Sequence, residues 1–142
     1  MKFKLLLVYL VSSVFLVTMA PSVAMAGGMY DVLKQQPYTV LLDANTKIDD
    51  IGRLCSAQKC YKIGFYTWRT KTHCAKRLLV FEIDHDKLTY LGGYRVTQQP
   101  VAIVGTKIMF AFSKEVGNQI DFDTAGPPQT VWLDGENSVF FK

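Results

Sequence analysis

The chain has 142 residues, 49% hydrophobic and 20% charged, with 16 Lys and Arg against 12 Asp and Glu and a formal net charge of +4. That apolar content excludes a disordered or low-complexity chain. Lys2 and Lys4 belong to a terminal segment that reads as separate, so the rest carries 14 basic against 12 acidic residues, which excludes a polycation holding nucleic acid by bulk charge.

Residues 1–26 have the pattern of a signal peptide. Lys2 and Lys4 give a positive start, Leu5 to Met19 an apolar run, and Pro21 a break. Ala24-Met25-Ala26 then offers the small-x-small pattern that a signal peptidase reads. Gly27 would be the mature N-terminus, and residues 27–142 one exported domain of a size suited to a single core. An uncleaved anchor is the alternative, since no charge falls between Leu5 and Tyr30, but Ser12, Ser13, Thr18, Pro21 and Ser22 interrupt the run. The expected location is periplasmic or secreted, with no stable membrane insertion after cleavage.

Tyr30 to Lys34 and Tyr38 to Leu42 read as short strands. Asn45 to Cys55 reads as the one short N-terminal helix. Asn45 or Thr46 could cap it, Asp49 and Asp50 suit its first turns, and Ile48, Ile51, Leu54 and Cys55 would share a face.

From Tyr61 onward the chain reads as strands separated by turn chemistry. Tyr61 to Trp68 is aromatic and β-branched, fitting a half-buried pleated surface. Leu78 to Ile83 reads as a largely buried strand, ended by Asp84-His85-Asp86-Lys87. Leu88 to Val96 is its partner, and Gly92-Gly93 inside it marks a bulge or bend. Val101–Val104, Ile108–Phe112, Ile120–Phe122, Thr130–Leu133 and Asn137–Lys142 complete the series. Asp134-Gly135 between two such runs is a strong hairpin signal, because both central positions of that turn need positive φ. The expected fold is mainly β, a small antiparallel β-barrel or β-sandwich with one short helix.

Three cysteines in an exported chain give one disulfide and one remainder. Closing Cys55 to Cys60 is worth roughly 2 kcal/mol in the chain-entropy model, and Cys55 to Cys74 roughly 3 kcal/mol, so energetics do not choose. Geometry does. A hairpin turning around Lys71 puts Cys74 beside Trp68 and leaves Cys60 about 26 Å away along a strand. The favoured pair is Cys55–Cys60, with Cys74 left over.

Chemistry is sparse. The histidines are His73 and His85. On an extended chain His73 faces away from Cys74, so a Cys–His dyad is not expected. Asp84-His85-Asp86 reads as a turn and not a metal site. No zinc spacing, phosphate-cradling glycine loop or nucleophile elbow occurs, and no cofactor is implied.

Charge is uneven. Ile51 to Phe81 contains no acid but has Arg53, Lys59, Lys62, Arg69, Lys71, Lys76 and Arg77. Glu115 to Phe141 contains five acids and no Lys or Arg. The two segments either neutralise each other across the fold or leave a basic patch for an anionic partner. On the first long strand, Lys62, Tyr66 and Trp68 alternate onto one face that Arg69 and Lys71 continue. Such an aromatic and cationic shelf suits a protein or anionic envelope macromolecule. The expected function is therefore non-enzymatic binding, as an inhibitor, immunity-type or envelope-accessory protein. A small-ligand or glycan-binding barrel bordered by Gly92, Gly93, Tyr90 and Tyr94, or a thiol enzyme using Cys74, are the other readings.

Overall fold

The structure is a computed structural model that describes residues 22–36, 40–111, 118–123 and 125–142, with side chains described from Gly28 onward. One helix, α1 (Ser22–Lys34), precedes nine strands: β1 (Thr46–Cys55), β2 (Cys60–Arg69), β3 (Cys74–Asp84), β4 (Lys87–Arg95), β5 (Ala102–Val104), β6 (Lys107–Met109), β7 (Gln119–Asp121), β8 (Thr130–Leu133) and β9 (Glu136–Val139). The protein is mainly β, with antiparallel sheets. Strands β1 to β4 form one sheet in sequence order, β5 to β7 a second and β8–β9 a third. No closed barrel forms among the described strands.

Both faces of the four-stranded sheet are covered. Leu54, Tyr61, Ile63, Leu78, Val80 and Tyr94 point to one side, where they meet Ile108, Phe110, Ile120, Phe122, Val131 and Leu133 of the smaller sheets and their flanks. Tyr66, Leu79, Phe81 and Tyr90 point to the other, where Met29 and Leu33 of α1 cover them. Two-sided burial is why β2 is buried almost continuously from Tyr61 to Tyr66, and not half-buried as its composition suggests.

The N-terminal expectations exchange places. The helix covers the expected strand Tyr30–Lys34, because Met29, Val32 and Leu33 recur at helical spacing against the sheet. The expected helix is β1. Its misleading period has a physical cause, a bulge between Asp50 and Gly52. Before the bulge Ile48 packs on the helix side, while the bulged Ile51 and Leu54 beyond it pack on the opposite side. A strand that changes face at a bulge mimics a three-residue period. Of the expected strand Tyr38–Leu42, residues 37–39 lie outside the described residues, and 40–42 are not in a strand.

The later strands fall where expected, though Phe112 lies outside the described residues. Val80 pairs with Gly92 and Phe81 with Tyr90, so Leu91 is the extra residue of a bulge beside the two glycines. A Cβ on Gly92, at φ +149°, would stand 2.7 Å from the Phe140 ring and inside contact distance of the Phe141 carbonyl oxygen. That crowding admits glycine alone. The C-terminal segment closes here: Gly93 and Phe141 exchange two backbone hydrogen bonds of 2.9 and 3.0 Å. Asp134 and Gly135, at φ 49° and 77°, make the expected tight turn between β8 and β9.

The disulfide links Cys55 to Cys60, cross-strand partners at the closed end of the β1–β2 hairpin, with Cα atoms 4.0 Å apart. At the open end Arg69 pairs with Cys74 and Trp68 with Ala75, as the hairpin around Lys71 requires. The bond is consistent with an oxidising compartment. Among the described residues no helix is long and apolar enough to cross a membrane. Most of the expected leader lies outside the described residues. Helix α1 spans Ala26–Gly27, the bond the leader reading would cut, while Met29 and Leu33, which anchor it, lie beyond that bond.

Candidate functional site

The cations and aromatics expected to form one shelf occupy three environments. Lys62 is buried, and its Nζ lies 2.6 Å from Asp50 Oδ2 on the adjacent strand. Tyr66 is also buried, and its hydroxyl donates to the Leu41 carbonyl at 2.5 Å. Trp68 is half-buried, its Nε1 donating to both Asp43 carboxylate oxygens at 3.0 and 3.1 Å. Arg69 and Lys71 are exposed at the turn end of the β2–β3 hairpin. Tyr66 and Trp68 do meet, lining a recess of about 460 Å³ with Leu41, Leu42 and Arg77. Lys62, Arg69 and Lys71 are not part of it.

Among the described residues the basic segment makes no ion pair with the acidic one. Lys62 pairs with Asp50, and Lys59 Nζ stands 3.5 Å from Glu82 Oε1. Among the described residues Asp121, Asp123, Asp134 and Glu136 make no ion pair. Asp121 instead accepts from the Thr106 hydroxyl at 2.7 Å and from the Asp123 amide at 2.9 Å. Those donors, the hydroxyl first, hold its carboxyl below the usual carboxylate range.

A cleft of about 560 Å³ opens where β3 and β4 meet the β8–β9 hairpin. Arg77 and Arg95, directly opposed across β3 and β4, stand together in its wall. Like charges placed directly opposite on a sheet destabilise it. Neither guanidinium has a carboxylate within salt-bridge distance among the described residues. The Phe141 ring packs on Arg77, with its centroid 4.9 Å from the guanidinium carbon. Ser138 holds β9 against this edge by donating its hydroxyl to the Arg95 carbonyl at 2.9 Å. The apolar wall comes from the core side, from Phe110 and Leu133, and Glu136 contributes one carboxylate.

Sequence reasoning noticed Arg77 only as one charge in a run and did not single out Arg95. Its pairing depends on the β3–β4 register, and the signal available was the bulge at Gly92-Gly93 that sets that register.

The other candidate chemistries are placed as follows. Cys74 is exposed and unpaired at the start of β3, and the Nδ1 of neighbouring His73 lies 2.8 Å from the Thr72 hydroxyl. His85, at φ 53°, forms the β3–β4 turn with Asp86. Among the described residues no three His, Cys, Asp or Glu side chains gather as a metal site. Around Gly92-Gly93 a Cβ would meet Phe140, Phe141 and Leu78, and Tyr90 and Tyr94 lie in opposite cores.

No protein-family model matches this chain, and no curated protein or solved structure is similar to it.

Proposed function

We propose that this is an exported, disulfide-stapled β domain that acts by binding a macromolecular partner, a protein or an anionic envelope component, through the Arg77–Arg95 cleft. The observation that carries this reading is the pair of opposed arginines, without a salt-bridge partner among the described residues, beside an aromatic ring. Arginine and aromatic side chains are the types that dominate interface energetics. The surface also extends beyond the cleft: Trp132, 49% exposed, shares the outer face of the β8–β9 hairpin with Val139, 54% exposed, which lines the cleft. A partner larger than the cleft could cover both.

Export is supported by the leader-like residues 1–26 and by the disulfide. The core shared between the large sheet and the two small ones favours a sandwich over a barrel.

The test is affinity capture from an envelope extract at two salt concentrations, with wild-type and Arg95→Glu baits. A partner held by the wild type, weakened by salt and lost from the variant supports the reading. Identical captures from both baits would place the contact elsewhere. Intact mass of the bait isolated from its own cell should correspond to a chain beginning at Gly27; retention of residues 1–26 would make the segment an anchor.

A further inference from the structure

We infer that the Arg77–Arg95 cleft is a receptor for a single carboxylate attached to an apolar group. The inference rests on the binding reading above and names the chemistry of what is bound.

Charge selects the anion. Two guanidinium groups and one carboxylate, Glu136, line the cleft, leaving one net positive charge. A monoanion neutralises that surplus. A dianion such as a phosphate monoester would set its second charge against Glu136. An anion placed between Arg77 and Arg95 would also relieve the repulsion that their register imposes, a benefit that a neutral ligand cannot supply.

Shape favours a carboxylate in particular. Phe141 covers one face of the Arg77 guanidinium, which leaves the edge of the planar fork to present its N–H donors. Paired N–H donors in a plane match the two oxygens of a carboxylate. The third feature is apolar. Phe110 and Leu133, both buried, and the exposed Val139 line the same cleft, so the group bearing the carboxylate meets hydrocarbon. A volume of about 560 Å³ lies within the general range of small-ligand sites. The C-terminus of a polypeptide that ends in apolar residues has this chemistry, and so does a free fatty or aromatic acid.

The test titrates the full exported chain, by calorimetry and by amide chemical shifts, with octanoate and with an acetylated peptide ending in Leu-Phe. The peptide is used once with a free C-terminal carboxylate and once as the amide. At least one carboxylate should bind saturably, whereas octanol and the peptide amide should not. Arg95→Gln and Arg77→Lys should each weaken that binding by at least about tenfold, because the first removes a charge-assisted partner and the second the planar fork. Octyl phosphate should bind more weakly than octanoate, and Glu136→Gln should narrow that gap.

Tighter binding of the peptide acid identifies the source as a chain terminus, and tighter binding of octanoate a free acid. Failure of both acids to bind, or binding that survives Arg95→Gln in a variant with an unchanged circular dichroism spectrum, overturns the carboxylate site. If both acids fail while Arg95→Glu still loses the captured partner, the carboxylate falls and the partner reading stands. If the capture is also unaffected, both fall.

Discussion

Lys62 and the Arg77–Arg95 pair are cations on the same sheet, yet they meet opposite fates. Lys62 is drawn into the sheet, 8% exposed at its side chain, against an Asp50 that is 16% exposed. The arginines oppose each other where β4 forms the edge of the sheet, and among the described residues neither has a carboxylate within salt-bridge distance. What differs is the neighbouring strand. In β1, Asp50 stands opposite Gly64 and meets Lys62 diagonally, although the direct partner of Lys62 is Arg53. The bulge in β4 instead sets Arg95 directly opposite Arg77, with no such diagonal acid among the described residues. A charge of the first kind is absorbed by the fold, and a charge of the second kind remains available to a partner.

The largest expected effect breaks the absorbed charge. Asp50→Ala leaves Lys62 buried without a counter-ion and should cost about 3–5 kcal/mol, read as a lower urea midpoint. Adding Lys62→Met should restore most of that loss, since an apolar side chain of similar length needs no partner there. If Asp50→Ala were neutral, Lys62 would reach solvent, and the contrast with the arginines would disappear.

An intermediate effect concerns alkaline pH. Burial pushes the Tyr90 phenol up to about 12, and the nearby Arg77 charge partly offsets the shift. An unfolded tyrosine ionises near pH 10. Below that pH the phenol is protonated in both states and its stabilising contribution is complete. As pH rises from about 10 to about 12 the unfolded chain ionises first, so stability falls through that window. Tyr94, raised by its own burial, extends the loss in the same direction. Urea midpoints at pH 8, 10 and 11 should decline, and Tyr90→Phe should flatten the decline. Arg77→Gln should move the start of the Tyr90 ionisation to higher pH, because it removes the cation that favours the phenolate.

The smallest effect is on the available charge. Arg95→Gln should change stability by no more than about 0.5 kcal/mol, with any change in the stabilising direction, because it relieves a like-charge contact at an exposed site. A destabilisation comparable to that of Asp50→Ala would mean that Arg95 supports the fold, and the cleft would lose its claim to be a site.

Much of the fold was legible from Tyr61 onward because each strand there ends in local turn chemistry. Asp134-Gly135 and the polar stretch around Lys71 set their hairpins without distant help. That hairpin register argued against Cys60–Cys74, and the Cys55–Cys60 bond forms as expected, although it closes a strand hairpin and not a turn leaving a helix. The N-terminal part was misread because its periodicity is made by tertiary structure. Ile48, Ile51 and Leu54 imitate a helix only because a bulge turns the strand over. The helix at Ser22–Lys34 was masked by reading the mature chain from Gly27, which removes its first turn. The site was less legible than the fold. Alternation correctly put Lys62, Tyr66 and Trp68 on one face of β2, but it could not tell that α1 and residues 40–43 lie on that face. The Arg77–Arg95 pairing needs two strands and a bulge, and no single segment encodes it.

The notch at Gly92-Gly93 also bears on the order in which the chain is completed. Strands β1 to β4 pair only with their neighbours in sequence, so that sheet can form early from local contacts as the chain emerges from its N-terminal end. Its β4 edge, however, is bridged at Gly93 by Phe141, which is made well after β4 itself. Until then that edge is open to pairing with another chain, the usual hazard of an unprotected strand. The two C-terminal phenylalanines therefore act as the clasp that ends this vulnerable interval, and the glycines keep their seat vacant until they arrive.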